Sequence, residues 1–235
     1  MRWRRGLQAV VAALALIVAA PVEASVVQIT FKTVDNWTIH GDYSAARGAT
    51  RAVVLLHQRG GSAGDWKPLV ARLNAAGIAT LAIDQRGAGR SLGPQNGANA
   101  PWNTSNDIAG AVAWLGRKGF PPARVGLAGA SYGANNALIY AAAHPGVPAV
   151  ALLSPGANYN GLVTGPAAGR YPGAILVLTA RDDPVTGGGP EAIAKAHTRG
   201  TVQLVTYGGS VHGTRLFAAN AGSLRVLTEF FKRRL

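Results

Sequence analysis

Short runs of apolar residues alternate along the chain with stretches of helical periodicity. The runs Ala52–Leu56 and Ala149–Leu153 contain no polar residue, which is typical of strands that are covered on both faces of a parallel sheet. Near the start, Val26–Lys32 and Trp37–Tyr43 flank the turn Asp35-Asn36, a pattern that predicts an antiparallel hairpin. The sequence therefore predicts an α/β fold, a mostly parallel twisted sheet with helices on both faces and an antiparallel N-terminal hairpin.

The same alternation continues to the end of the chain. Further strands are predicted at Ile78–Ile83, Val125–Ala128, Ile175–Leu178 and Val202–Thr206. Helices are predicted after Asp65 as an N-cap, after Thr104 and Asp107 as a capping pair, and over Asn135–Ala143, Pro190–His197 and Gly222–Arg233. Only about 20 residues separate the strand that ends at Leu153 from the next one near Ala174, so no large lid is expected.

The first residues differ in kind from the rest. Arg2, Arg4 and Arg5 precede the apolar run Leu7–Ala20, and small residues lead to a cleavage site after Ala24. This order predicts a signal peptide over residues 1–24 and one domain over residues 25–235, in a secreted or periplasmic protein. A retained anchor is the alternative, although the run is shorter than the ~20 residues that span a bilayer. No later stretch is apolar enough to span a membrane.

Composition narrows the chemistry. The chain has no cysteine, which excludes disulfides, thiolate metal sites and a cysteine nucleophile. Its five histidines are scattered without metal-ligand spacing, so neither a metal nor another cofactor is expected. The formal net charge is +13, but the cations are dispersed, and the one dense run after residue 24, Lys232-Arg233-Arg234, suits the end of a final helix. No nucleic-acid partner is expected.

One stretch combines a predicted strand, a tight turn and a helix around a serine. Val125–Ala128 leads into Gly129-Ala130-Ser131-Tyr132-Gly133, and Asn135–Ala143 follows. A serine on such a corner has a strained backbone and a hydroxyl held above the sheet, and the flanking glycines let strand and helix approach each other. With 31 glycines among 235 residues, the G-x-S-x-G pattern alone is weak, so partners elsewhere in the chain must support it.

Polar side chains follow several of the other predicted strands. They are His57, Asp84, Ser154, Asp182 with Asp183, and His212. Because parallel strands bring their carboxyl ends to one edge of a sheet, these residues are expected to lie near one another. A serine nucleophile needs an imidazole to accept its proton and a carboxylate to orient that imidazole. Ser131, an aspartate at 182 or 183, and His212 supply the three in chain order, while His57 and the pair Asp84 and Arg86 are expected to be structural.

Five stretches together resemble the α/β-hydrolase superfamily over essentially the whole length after residue 24. They are Val53–His57 with Gly60-Gly61-Ser62 and Trp66, Ile83–Ser91, Gly129–Gly133, Leu178–Asp183, and Val211-His212-Gly213. The resemblance is nearest to small, lidless members related to dienelactone hydrolases and bacterial carboxylesterases. It implies a triad of Ser131, Asp183 and His212, because family spacing selects Asp183 over Asp182. It also implies an oxyanion hole made by the backbone N–H groups of Arg59 and Tyr132.

Two departures from the family pattern bear on function. The family usually has glycine directly after the first-loop histidine, but Gln58 stands there, and dienelactone hydrolases in the narrow sense use cysteine where this chain has Ser131. The expected function is a carboxylesterase-like serine hydrolase that cleaves an ester or related acyl bond of a small or soluble substrate. A peptidase or acyltransferase with the same triad is one alternative. A catalytically silent envelope binding module is another, favoured by Gln58 and the basic charge.

Overall fold

Eight strands form one sheet in the part of the chain that the computed structural model describes, residues 25–92 and 103–235. In chain order the strands are β1 (Val26–Lys32), β2 (Thr38–Ser44), β3 (Ala52–Leu56), β4 (Ala79–Asp84), β5 (Val125–Ala130), β6 (Ala149–Leu153), β7 (Asn158–Tyr159), β8 (Leu162–Val163), β9 (Ala174–Ala180) and β10 (Val202–Tyr207). The sheet order is β1-β2-β4-β3-β5-β6-β9-β10, and β7 pairs with β8 in a separate hairpin. The predicted signal peptide, residues 1–24, lies outside the described residues.

The sheet is parallel from β4 to β10 and antiparallel only at its N-terminal edge. Strand β1 pairs antiparallel with β2, and β2 pairs antiparallel with β4. The remaining neighbours are parallel, because a helical connection lies between consecutive strands of that part. The predicted α/β fold with an antiparallel N-terminal hairpin is confirmed.

Helices cover both faces of the sheet. They are α1 (Lys67–Ala75), α2 (Ser105–Arg117), α3 (Tyr132–Ala143), α4 (Thr164–Arg170), α5 (Gly189–Ala196), α6 (Leu216–Ala219) and α7 (Gly222–Arg234). Because successive side chains of a strand point to opposite faces, Val54 and Leu56 of β3 pack with α2 to α5, whereas Val53 and Leu55 pack with α1, α6 and α7. Burying each such side chain contributes roughly 1.5–3 kcal/mol. Among the described residues, no helix combines the length and apolarity needed to cross a membrane.

Two predicted helix caps have other roles. Asp65 is not the N-cap of α1; it lies in the 3₁₀ turn Ala63–Trp66 and accepts a hydrogen bond from the Ser62 backbone N–H at 3.3 Å. Asp107 does not cap α2 with Thr104 either. Its buried carboxylate accepts bonds from the backbone N–H and the Nε–H of Arg86, both at 2.8 Å, because a buried guanidinium needs a charged partner more than a helix end does.

The connection between strands β6 and β9 contains few regular elements. This segment holds the hairpin β7-β8 and the seven-residue helix α4. The sequence indicated little regular structure here, so the hairpin and α4 go beyond the prediction. The predicted absence of a large lid is in line with this short segment.

Candidate active site

Ser131 occupies a sharp corner between β5 and α3. Its backbone has φ 53° and ψ −120°, a region that non-glycine residues rarely adopt and that costs about 1–3 kcal/mol. Backbone hydrogen bonds stabilise this strained conformation. The Ser131 N–H donates to the Leu153 carbonyl at 2.7 Å, and the N–H groups of Ala134 and Asn135 donate to the Ser131 carbonyl at 2.9 and 3.1 Å. The serine of a nucleophile elbow has this geometry.

Two glycines make the corner sterically feasible. A Cβ at Gly129 would overlap the backbone of Gly133, and a Cβ at Gly133 would overlap the carbonyl oxygens of Leu56 and His57. Helix α3 therefore begins in direct backbone contact with β5 and with the end of β3. This close approach places Ser131 beside the loop that carries Arg59.

The imidazole of His212 is paired with the carboxylate of Asp183. His212 Nδ1 lies 2.7 Å from Asp183 Oδ2 and 3.0 Å from Oδ1, and Oδ1 also accepts a bond from the Val185 N–H at 3.1 Å. The Asp183 side chain is fully buried and that of His212 is 20% exposed. Since Nδ1 faces the carboxylate, Nε2 is directed to the other side of the ring, as a general base requires. Asp182 is exposed, so of the two predicted candidates Asp183 contacts the histidine.

The loop of His212 lies against the corner of Ser131. The Gly213 N–H donates to Ser154 Oγ at 3.0 Å, and Ser154 follows β6, the strand beside β5. A Cβ placed on Gly213 would lie 3.7 Å from the Cβ of Ala130, the residue before Ser131. The structure therefore brings the three predicted triad residues to one edge of the sheet, at the carboxyl ends of β5, β9 and β10.

Tyr159 lies beside Ser131, a position that the sequence analysis did not predict. Its hydroxyl donates towards the Val185 carbonyl at 3.3 Å and the Ser154 carbonyl at 3.4 Å, and it lies close enough to the Ser131 side chain for this neighbour to influence the pKa of Tyr159. Burial raises the pKa of Tyr159 to about 12, so the phenol is neutral near pH 7. In the sequence, Tyr159 stands in a glycine-rich segment after β6. This position suggests a loop residue but does not indicate a contact with Ser131.

The predicted oxyanion residues line one cleft. Tyr132 is the first residue of α3, and first-turn amides have no acceptor within their own helix. Arg59 lies in the loop after β3, across a cleft of about 320 Å³. The other residues that line the cleft are His57, Gly60, Gly61, Arg86, Gly87, Ala88 and Gly89.

His57 has a structural role, as expected. Its Nδ1 lies 2.7 Å from the Gln58 carbonyl, and its Nε2 accepts a bond from the Gln85 N–H at 3.0 Å. One ring nitrogen must donate and the other accept, so the ring is a neutral imidazole protonated at Nδ1. Burial lowers the pKa of His57, which favours the same neutral form.

Asp84 has a structural role in the loop after β4. Its carboxylate accepts bonds from the Ala63 N–H at 2.7 Å and from Arg90 Nε at 2.6 Å. Burial opposes ionisation of this carboxyl, but these donors keep the pKa of Asp84 below its ordinary value. Gly89, at φ +52°, admits the carboxylate where a Cβ would overlap it. Within the described ranges, no group of three or more His, Asp or Glu side chains is arranged to hold a metal ion.

Comparison with known proteins identifies the family. A model of the family described as serine aminopeptidase, S33, matches residues 48–172, more than half of the chain. The protein belongs to this α/β-hydrolase family. The S33 match contains Arg59, Ser131 and Tyr132, whereas Asp183 and His212 lie beyond it. No curated protein sequence matches the chain significantly.

Solved structures have the same fold at low sequence identity. A dienelactone hydrolase from Anabaena variabilis ATCC 29413 superposes with a TM-score of 0.74 at 20% identity, over 91% of this chain and all of that one. The DcsB complex with its substrate analogue gives a TM-score of 0.78 at 15% identity, over 90% of this chain and all of that one. The Pyrococcus furiosus esterase Pf2001 gives 0.74 at 17% identity, over 90% and 93% of the two chains. The S33 member described here is thus a hydrolase of the α/β-hydrolase type.

Proposed function

We propose that this S33 family member is a serine hydrolase that cleaves a carboxylic ester or related acyl bond of a small or soluble substrate. The observation that carries the proposal is that a strained serine corner and a His212–Asp183 pair lie on the same edge of the sheet, at the carboxyl ends of β5, β9 and β10. A serine hydroxyl is a poor nucleophile near neutral pH, and this pair provides the base that it needs.

The proposed reaction has two halves. Ser131 Oγ attacks the acyl carbon while His212 Nε2 takes the hydroxyl proton, and Asp183 stabilises the resulting imidazolium. The N–H groups of Arg59 and Tyr132 receive the oxyanion. The imidazolium then protonates the departing alcohol, which leaves an acyl-serine. His212 then deprotonates a water molecule, which attacks the acyl-serine, and the imidazolium returns the proton to Ser131 Oγ as the acid product leaves.

The short segment between β6 and β9 supports the choice of substrate class. Between β6 and β9 the described chain forms a two-stranded hairpin and the seven-residue helix α4, which are too short to make a helical lid. The N-terminal pattern of residues 1–24 supports a secreted or periplasmic location, where small or soluble esters would reach the site directly.

Covalent labelling tests the proposal directly. A fluorophosphonate probe reacts with an activated serine, so it should label wild type and leave Ser131→Ala unlabelled. Ser25→Ala removes an exposed serine and should label like wild type. Hydrolysis of p-nitrophenyl acetate should follow the same order. Equal labelling of wild type and Ser131→Ala would overturn the assignment, and the loss of all turnover with retained binding of an anionic polymer would favour a silent envelope binding module.

The family description favours one second candidate, an aminopeptidase with the same triad. An aminopeptidase selects a free N-terminal ammonium group, which a carboxylate recognises well. The residues that line the cleft beside Arg59 and Tyr132 include two arginines and no carboxylate. Since Arg86 is already paired with Asp35 and Asp107, it is the lack of a lining carboxylate, rather than free positive charge, that favours the ester hypothesis. Comparing turnover of p-nitrophenyl acetate with that of an aminoacyl-p-nitroanilide separates the two, and an acyltransferase would show product transfer to an added alcohol.

A further inference from the structure

Gln58, which stands where related hydrolases usually have glycine, contacts the loop of the proposed catalytic histidine. Its side-chain oxygen Oε1 accepts two hydrogen bonds from Thr214, one from the backbone N–H at 2.9 Å and one from the hydroxyl at 3.2 Å. These partners are 156 positions apart in sequence. An amide oxygen has two lone pairs, and Thr214 uses both.

The backbone after His212 is held at two successive amides. The Gly213 N–H donates to Ser154 Oγ at 3.0 Å, and the next N–H, that of Thr214, donates to Gln58. Gly213 has φ +61°, and a Cβ there would overlap Gln58 Oε1. The glycine after His212 therefore provides both the left-handed backbone and the space that the Gln58 side chain occupies.

The main chain of Gln58 sets the direction of the Arg59 amide. The Gln58 carbonyl accepts bonds from the His57 ring at 2.7 Å and from the Gly61 N–H at 3.0 Å. The structure contains no cis peptide bond among the described residues, and in a trans peptide the N–H points opposite to the C=O. With the carbonyl fixed on one side, the Arg59 N–H is directed to the other.

We propose that Gln58 is a positioning residue that keeps the His212 loop in register with the oxyanion loop. Its main chain orients the Arg59 N–H, and its side chain holds the two residues that follow His212. The role rests on the proposed serine-hydrolase function, because it matters only if His212 must meet Ser131 while the Arg59 amide meets the oxyanion. Gln58 contributes no atom to the reaction itself.

Three purified variants over residues 25–235 test this role. Gln58→Met keeps the length of the side chain and removes its acceptor, whereas Gln58→Glu keeps an acceptor oxygen for Thr214. Gln203→Met makes the same exchange at an exposed site on β10. Losing this pair of part-buried hydrogen bonds is expected to lower kcat for p-nitrophenyl acetate about tenfold, with KM changed less than about twofold. Gln58→Glu should recover most of the kcat, and Gln203→Met should match wild type.

Two further measurements separate positioning from general destabilisation. Gln58→Met should keep a cooperative thermal transition, and the imidazole NMR signals of His212, assigned with His212→Asn, should shift or broaden in Gln58→Met but not in Gln203→Met. Unchanged kcat and unchanged His212 signals in Gln58→Met would overturn the role, as would an equal loss in the Glu variant. If wild type hydrolyses no acyl substrate, the proposed function fails, while the His212 signals still decide whether Gln58 positions this loop.

Discussion

The carboxylate of Asp183 meets Nδ1 of His212 at 2.7 Å, although the two residues follow different strands, β9 and β10. The Asp183 side chain has no exposed surface, and the Val185 N–H holds its second oxygen. A buried carboxylate that is held in this way has a fixed orientation relative to the imidazole ring of His212. The Asp183–His212 pair is therefore formed in the absence of substrate. Its contribution to kcat can be measured by comparing substitutions of Asp183 with substitutions of the neighbouring Asp182.

Replacing Asp183 with Asn should lower kcat by about 10³- to 10⁴-fold, because an amide favours the wrong imidazole tautomer and cannot stabilise the imidazolium. Asp182→Asn is the matched control. Asp182 is exposed, so kcat for p-nitrophenyl acetate should stay within about threefold of wild type. A comparable loss in both variants would contradict the assignment of Asp183.

Removing the Tyr159 hydroxyl should weaken catalysis modestly. Tyr159→Phe keeps the ring that packs over Gly156 and deletes the hydroxyl that lies beside the Ser131 side chain. We expect kcat/KM to fall about threefold to tenfold, since one neutral hydrogen bond contributes ~1 kcal/mol. Tyr43→Phe, on β2, is the control and should leave kcat/KM unchanged. An unchanged Tyr159→Phe enzyme would show that the hydroxyl does not orient Ser131.

The close backbone contact at Gly133 should make even a methyl group costly. Gly133→Ala places a Cβ against the carbonyl oxygens of Leu56 and His57, which cannot move without disturbing the end of β3. The free energy of unfolding should fall by about 1–3 kcal/mol. Gly116→Ala on α2, where a Cβ meets no atom within 4 Å, should instead stabilise by about 0.5–1 kcal/mol. Denaturant titration of both variants measures the difference, and a neutral Gly133→Ala would refute the steric argument.

The buried neutral imidazole of His57 should make folding stability depend on pH. Burial lowers the pKa of His57 in the folded state, so between that value and the ordinary value of about 6.5 the unfolded chain binds the extra proton. The stabilisation is thus complete above about pH 6.5 and is lost as pH falls through the lower, folded-state pKa. His57→Gln should show a shallower acid decline in unfolding free energy than wild type. Parallel curves for the two proteins would assign the decline to other groups.

The parts of the fold that the sequence predicted well depend on local pattern. Strands β3 and β6 begin and end where predicted, because their apolar runs are bounded by polar or loop residues on both sides. The corner at Ser131 was equally visible, since the positions of Gly129 and Gly133 follow from one local steric requirement. Helix α3 was predicted from Asn135 but begins at Tyr132, because the turn continues directly into the helix.

The parts that the sequence did not predict depend on distant partners. Asp107 was expected to cap α2, but its carboxylate binds Arg86, 21 positions away. The contact between Gln58 and Thr214 joins two loops from opposite ends of the chain. Neither partner can be chosen from hydrophobic periodicity or capping preference, which act over a few residues. Such long-range polar pairs become apparent only when the sheet order is known.

Strand β10 has a single neighbour, β9, among the described strands, because it lies at the end of the sheet order. His212 follows this edge strand, while Ser131 follows β5 in the interior of the sheet. Edge strands open by local fraying at lower free energy than central ones. Under mild heat or denaturant, His212 should therefore separate from Ser131 while the central strands stay folded. Inactivation would then precede global unfolding and would reverse on cooling. The half-life of activity would therefore measure the local stability of the sheet edge formed by β10.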